Sequence, residues 1–299
     1  MAQITLHIGA PRTGTTVLQK YIFPHIQNSS YCGKRPHHSA LIHSWGLRDA
    51  GQFFAGQPAG GMTQELREQA LRYILTMSFH LALESPPRED AVRAFLSEAI
   101  SRLVRVAVGG SVLLSTERLL DTAASLNGSH LVGPGRDVVF PVHPLAKACT
   151  AAGITPRIVV CLREPVSYLA SKYSRTSFQR TAGGLPAQTP REYIQSQSEL
   201  ESTLPGSSVL SVAEHTPFLK AMHALGFVKA VGFKELIGSD DVLGMLGLEN
   251  EGKYSFQQFP VENDLGVNAA KKALIMEKIH SSLDQCGWLA RVKNAQMYD

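Results

Sequence analysis

Nowhere in the 299-residue chain does an apolar run approach the ~20 residues that a bilayer-spanning helix needs, so no membrane span is expected. Cysteine is scarce and scattered. Cys32, Cys149, Cys161 and Cys286 show no Cys-x-x-Cys spacing, which argues against a disulfide framework and against a structural zinc site, and they read as free thiols. Neither sign of charge dominates: the net charge is +4. That is too mild for an obligate nucleic-acid binder, but it suits a cleft that receives a multiply anionic small molecule. Internal repeats and low-complexity tracts are missing as well. Met1-Ala2-Gln3 runs straight into an apolar stretch with no basic region or small-residue cleavage site, so no secretory signal is read and a cytoplasmic protein is expected.

What is present is ordinary globular composition, 44% hydrophobic and 18% charged, in a length that one α/β domain with insertions can occupy. Ile4 to Ile8 is a short apolar run closed by Gly9, and Val17, Leu18, Tyr21 and Ile22 then recur at helical spacing until Pro24. Residues 28–62, rich in Gly, Pro, His and Ser, read as a long irregular excursion. Two amphipathic helices follow, one marked by Leu66, Ala70, Tyr73, Ile74, Met77 and Leu81, the other by Val92, Phe95, Leu96, Ala99, Ile100 and Leu103. Val112 to Leu114, Ile158 to Leu162 and Val228 to Phe233 have the form of buried parallel strands. Strands alternating with helices predict an open parallel sheet covered on both faces.

The segment after the first strand, Gly9-Ala-Pro-Arg-Thr-Gly-Thr-Thr16, carries the chemistry. A glycine-bounded turn between a buried strand and a helix aims backbone N–H groups and the positive end of the helix dipole at one small volume, suited to phosphate or sulfate. Thr15 and Thr16 add hydroxyl donors. The pattern nearest in general form is the P-loop, G-x-x-x-x-G-K-[ST], but Thr15 stands where that lysine would be and the basic residue is Arg12, inside the loop. Two readings are open, an anion cradle and a bare strand-to-helix connection. A position directly after a strand, at the start of a helix, with a cation at the apex, favours the cradle.

His7-Ile-Gly-Ala-Pro-Arg-Thr-Gly-Thr-Thr-Val-Leu-Gln19 resembles the 5′-phosphosulfate loop of the sulfotransferase family, which is usually written with lysine where this chain has Arg12. Arg163-Glu-Pro-Val-Ser-Tyr-Leu-Ala-Ser171-Lys-Tyr resembles the family's second element, in which an arginine and a serine eight residues on bind a 3′-phosphate. Leu113-Leu-Ser-Thr-Glu117, Val231-Gly-Phe-Lys-Glu235-Leu and Leu246-Gly-Leu248 look like later family segments, in matching order over most of residues 3 to 270. The family's C-terminal Arg-Lys-Gly element has no counterpart in residues 265–299.

The resemblance implies a single domain over residues 1–299 with a nucleotide-kinase-like parallel sheet, in which residues 28–110 form an irregular and helical insertion on the acceptor side. It implies a metal-free enzyme that moves a sulfuryl group from 3′-phosphoadenosine 5′-phosphosulfate to a hydroxyl or amine of a glycan, lipid or small metabolite. Pro11, Arg12, Thr13, Gly14, Thr15 and Thr16 would bind the 5′ side, and Arg163 and Ser171 the 3′-phosphate. Arg12 would also stabilise charge during transfer, and the base would be His38, with Glu117 as its competitor. Glu117 has a second reading, a buried carboxylate paired with a core arginine. A P-loop nucleotide kinase and a non-catalytic nucleotide- or partner-binding protein are the alternatives.

Overall fold

Strand β1 (Gln3–Gly9) occupies the centre of a five-stranded sheet, and the computed structural model describes residues 2–9, 15–33, 74, 86–115, 142–203, 208–248, 253–259 and 269–294. The other strands are β2 (Ser30–Gly33), β3 (Ser111–Ser115), β4 (Arg157–Leu162) and β5 (Phe227–Gly232), in the order β2-β3-β1-β4-β5, and all four pairings are parallel. The fold is therefore α/β with an open, all-parallel sheet, as the alternation of apolar runs predicts.

Helices cover both faces, as they must when a parallel sheet has no solvated side. They are α1 (Thr15–Val17), α2 (Pro86–Val106), α3 (Val142–Ala151), α4 (Pro165–Ala182), α5 (Pro190–Thr203), α6 (Val209–Ala213), α7 (Thr216–His223), α8 (Phe233–Gly238), α9 (Val242–Met245), α10 (Ala269–Gln285) and α11 (Leu289–Lys293). On one face Ile4, Leu6 and Ile8 pack with Val112, Leu114, Ile158 and Val160 under Leu96, Ile100 and Leu103 of α2, Leu145 of α3 and Leu169 of α4. On the other, Leu113, Val159, Cys161 and Val231 meet Leu18, Ile22 and Phe23 after α1, Leu236 of α8, and Val242 and Leu243 of α9. Burying each large aliphatic side chain contributes roughly 1.5–3 kcal/mol. A one-residue slip of β1 would reverse both faces, so the segment leaving Gly9 starts from a fixed point.

Two elements differ from the sequence expectation. Ser30–Gly33, inside the stretch read as irregular, forms the edge strand β2, paired with β3 from Ser30↔Val112 to Gly33↔Ser115. Its four residues are all buried, because β3 and the flanking side chains cover an element too short to show a period. Beyond Val17, α1 continues as a π-helical turn, Leu18–Ile22, and a 3-10 turn, Phe23–His25, that contains Pro24. The expected helix over residues 66–81 lies outside the described residues except for Ile74, which is helical and fully buried. Among the described residues, no helix is long and apolar enough to cross a membrane.

Candidate functional site at the carboxyl edge of the sheet

β1 and β4 are neighbours, yet the chain leaves them in opposite directions: after β1 it travels to β2 on one edge, and after β4 to β5 on the other. Such a divergence opens a crevice beyond the carboxyl ends of the two strands, where open α/β sheets bind ligands. Gly9 is in register with Cys161, so the two connecting segments start one residue apart along the sheet. One is the glycine-bounded segment that ends at Thr15; the other is Arg163-Glu164, which leads into α4.

Arg163 follows β4 directly, and its guanidinium carbon lies 5.5 Å from the centroid of the Phe233 ring. Phe233 opens α8 just past β5, and Leu162 and Gly232 are register partners, so adjacent strands deliver the cation and the ring side by side. An arginine over an aromatic face keeps its planar fork oriented, a prerequisite for two-pronged contact with a phosphate. Glu164 is used differently. Its carboxylate accepts from the backbone N–H of Val166 at 2.9 Å and of Ser167 at 2.6 Å, with Pro165 at the first helical position. The donors that open α4 are therefore occupied, and an anion here would be met by side chains. Ser171 is half-buried on α4, about 9 Å along the axis from Pro165 at 1.5 Å per residue.

Thr15 is buried and Thr16 half-buried in the first turn of α1. Thr15, Thr16 and Arg163 thus follow the carboxyl ends of neighbouring strands, and Ser171 lies further along α4. Pro11, Arg12, Thr13, Gly14, His38 and Glu117 lie outside the described residues. Among the described residues, no group of three or more His, Cys, Asp or Glu side chains is placed to hold a metal ion. A cavity of about 450 Å³, lined by Gln195, Ser198, Glu199, Ser202, Thr203 and Cys286, involves none of the predicted residues.

Directly beneath this edge is a polar cluster that pattern reading passes over. His7 points to the same face of β1 as Gly9 and is fully buried, with Nδ1 2.8 Å from Ser115 Oγ and Nε2 3.3 Å from Cys161 Sγ. Gln19 Nε2 donates to the backbone oxygen of Ser115 at 3.1 Å and to its Oγ at 3.0 Å. The Ser115 hydroxyl thus shares one hydrogen bond with His7 Nδ1 and another with the Gln19 amide, while Nε2 and the Cys161 sulfur share a third, the tautomer deciding which His7 nitrogen carries the proton. Burial holds His7 neutral, with its pKa lowered to about 3, and pushes the Cys161 thiol up to about 12. The available signal was a histidine between Leu6 and Ile8 of a buried strand, with a glutamine on the sheet-facing side of the next helix.

No family model, curated protein or solved structure matches this chain.

Proposed function

We propose that this protein is a member of the sulfotransferase family that transfers a sulfuryl group from 3′-phosphoadenosine 5′-phosphosulfate to a hydroxyl or amine of a small-molecule, lipid or glycan acceptor in the cytoplasm. The observation that carries the reading is the pairing of β1 with β4, which makes the Gly9–Thr16 segment and the Arg163 segment diverge from one point of the sheet edge. Two anionic groups at opposite ends of one nucleotide need two such anchors. The central position of β1 and the order β2-β3-β1-β4-β5 also suit a nucleotide-kinase-like sheet.

In this reading the acceptor oxygen or nitrogen attacks sulfur in line with the bridging oxygen. The new bond to sulfur forms as the sulfur–oxygen bond to the nucleotide breaks, adenosine 3′,5′-bisphosphate departs, and the acceptor proton passes to His38 or Glu117. Backbone donors of Arg12 to Thr16 and the Arg12 guanidinium oppose the charge that develops on the bridging and sulfuryl oxygens. Arginine keeps its charge at every working pH and presents a fork where the family's lysine presents a point. Arg163 and Ser171 hold the 3′-phosphate, and holding it positions the sulfur.

Calorimetry with adenosine 3′,5′-bisphosphate in the absence of metal tests the reading. Binding should weaken about ten- to a hundredfold in Arg163→Ala, the range for a lost hydrogen bond to a charged group. With the sulfuryl donor and a metabolite extract, Arg12→Ala should lower product formation about a hundredfold. Binding of ATP with Mg²⁺ but not of the bisphosphate would replace this function with that of a nucleotide kinase. Binding of the bisphosphate with no sulfated product would make the protein a nucleotide binder.

A further inference from the structure

The mechanism above makes no use of the buried cluster around Gln19, although that cluster joins the turn after α1 to four strands. The Gln19 amide spans to Ser115 at the end of β3, and Ser115 is joined in turn to His7 of β1, which reaches Cys161 of β4. The link to β2 uses the Gln19 backbone. In the π-helical turn the Phe23 N–H reaches back to the Leu18 oxygen rather than to that of Gln19. The Gln19 carbonyl takes the Tyr31 hydroxyl instead, at 3.1 Å. Gly33, two residues along β2, makes this possible, since a Cβ there would overlap the Tyr31 ring.

Apolar packing by Leu18, Ile22 and Phe23 would hold the turn against the sheet without this cluster. Packing alone tolerates sliding and rotation, whereas several directional bonds to one side chain and its carbonyl do not. Gln19 follows Thr15 by four residues and Thr16 by three, one helical turn away, so an adjustment at Gln19 is passed to both threonines.

We propose that Gln19, with Ser115 and His7 behind it, is the positioning residue that sets where Thr15 and Thr16 stand at the sheet edge, and so governs recognition of the 5′-anion but not of the rest of the nucleotide. This rests on the sulfotransferase reading, in which that edge receives the 5′ group. Gln19 touches no ligand; it acts through the turn it anchors.

The test compares adenosine 3′,5′-bisphosphate with adenosine 3′-monophosphate, which lacks the 5′ group, on the full chain by calorimetry. Gln19→Met keeps the length of the side chain and removes its donors, and Ser115→Ala removes the hydroxyl that links Gln19 to His7. In both variants the bisphosphate should bind about five- to tenfold more weakly, as for one lost hydrogen bond, while the affinity for the monophosphate stays at the wild-type value. Equal weakening of both ligands, or no weakening of either, would overturn the proposal while leaving the function intact. A wild-type chain that binds the two ligands equally would remove the function and this inference together. If Gln19→Met does not fold, Ser115→Ala decides alone.

Discussion

His7 is fully buried between β3 and β4, and its pKa falls to about 3 because the charged ring would lose its water. Below pH 6.5 the unfolded chain takes up a proton that the folded chain refuses, so stability declines as pH falls from 6.5 towards 3. The full displacement corresponds to on the order of 5 kcal/mol at pH 3. His143 adds to the same limb, lowered to about 4 by burial and then by the charge of Lys147. Urea midpoints recorded between pH 7 and pH 4 should drop in the wild type and drop less steeply in His7→Gln, which has no proton to gain; parallel slopes would assign the acid limb to other groups. Cys161 and Cys149, each pushed up to about 12 by burial, remain thiols at neutral pH and should resist alkylation in the folded chain. The places of Arg163 after β4 and of Ser171 on α4 were legible because a strand end followed by helical spacing fixes them. The His7 cluster was not, since its partners are separated by 96 to 154 residues.

At the scale of elements, the helix α4 owes its start to one side chain. Glu164 accepts from two of its first N–H groups, and its negative charge complements the dipole. Glu164→Ala should cost about 1 kcal/mol, the usual value for a lost cap, read as a lower thermal midpoint. An unchanged midpoint would mean that water replaces the carboxylate at no cost. β1, β3, β4 and β5 were readable as elements because strands buried on both faces carry near-continuous apolar runs. β5 closes one residue before its expected end: Phe233 already belongs to α8, where it lies beside Arg163. β2, Ser-Tyr-Cys-Gly, has no such run, and its pairing with β3 crosses about 80 residues of intervening chain. The π-helical turn is equally invisible to periodicity, because no local spacing shows that the Gln19 carbonyl finds its partner in the Tyr31 hydroxyl.

For the whole molecule, the central strand is the element on which both layers depend. Leu6 is fully buried in the middle of β1, and Leu6→Ala should destabilise the chain by about 2–5 kcal/mol. Far-ultraviolet dichroism and tryptophan fluorescence should follow the same shifted transition, since Trp288 packs in the core that contains Leu6; a shift in only one signal would show that the layers unfold separately. The sequence by itself determined the α/β class, the parallel character of the sheet and the positions of its main strands, because burial on two faces writes itself into local composition. It also placed an arginine directly after β4 and the first turn of a helix at Thr15. Only the tertiary structure decided that β1 and β4 are neighbours, that the four-residue β2 pairs with β3, and that His7, Gln19, Ser115 and Tyr31 form one network. Strand order and buried polar contacts depend on pairings between distant parts of the chain, and no local pattern of residue types encodes which pairings close.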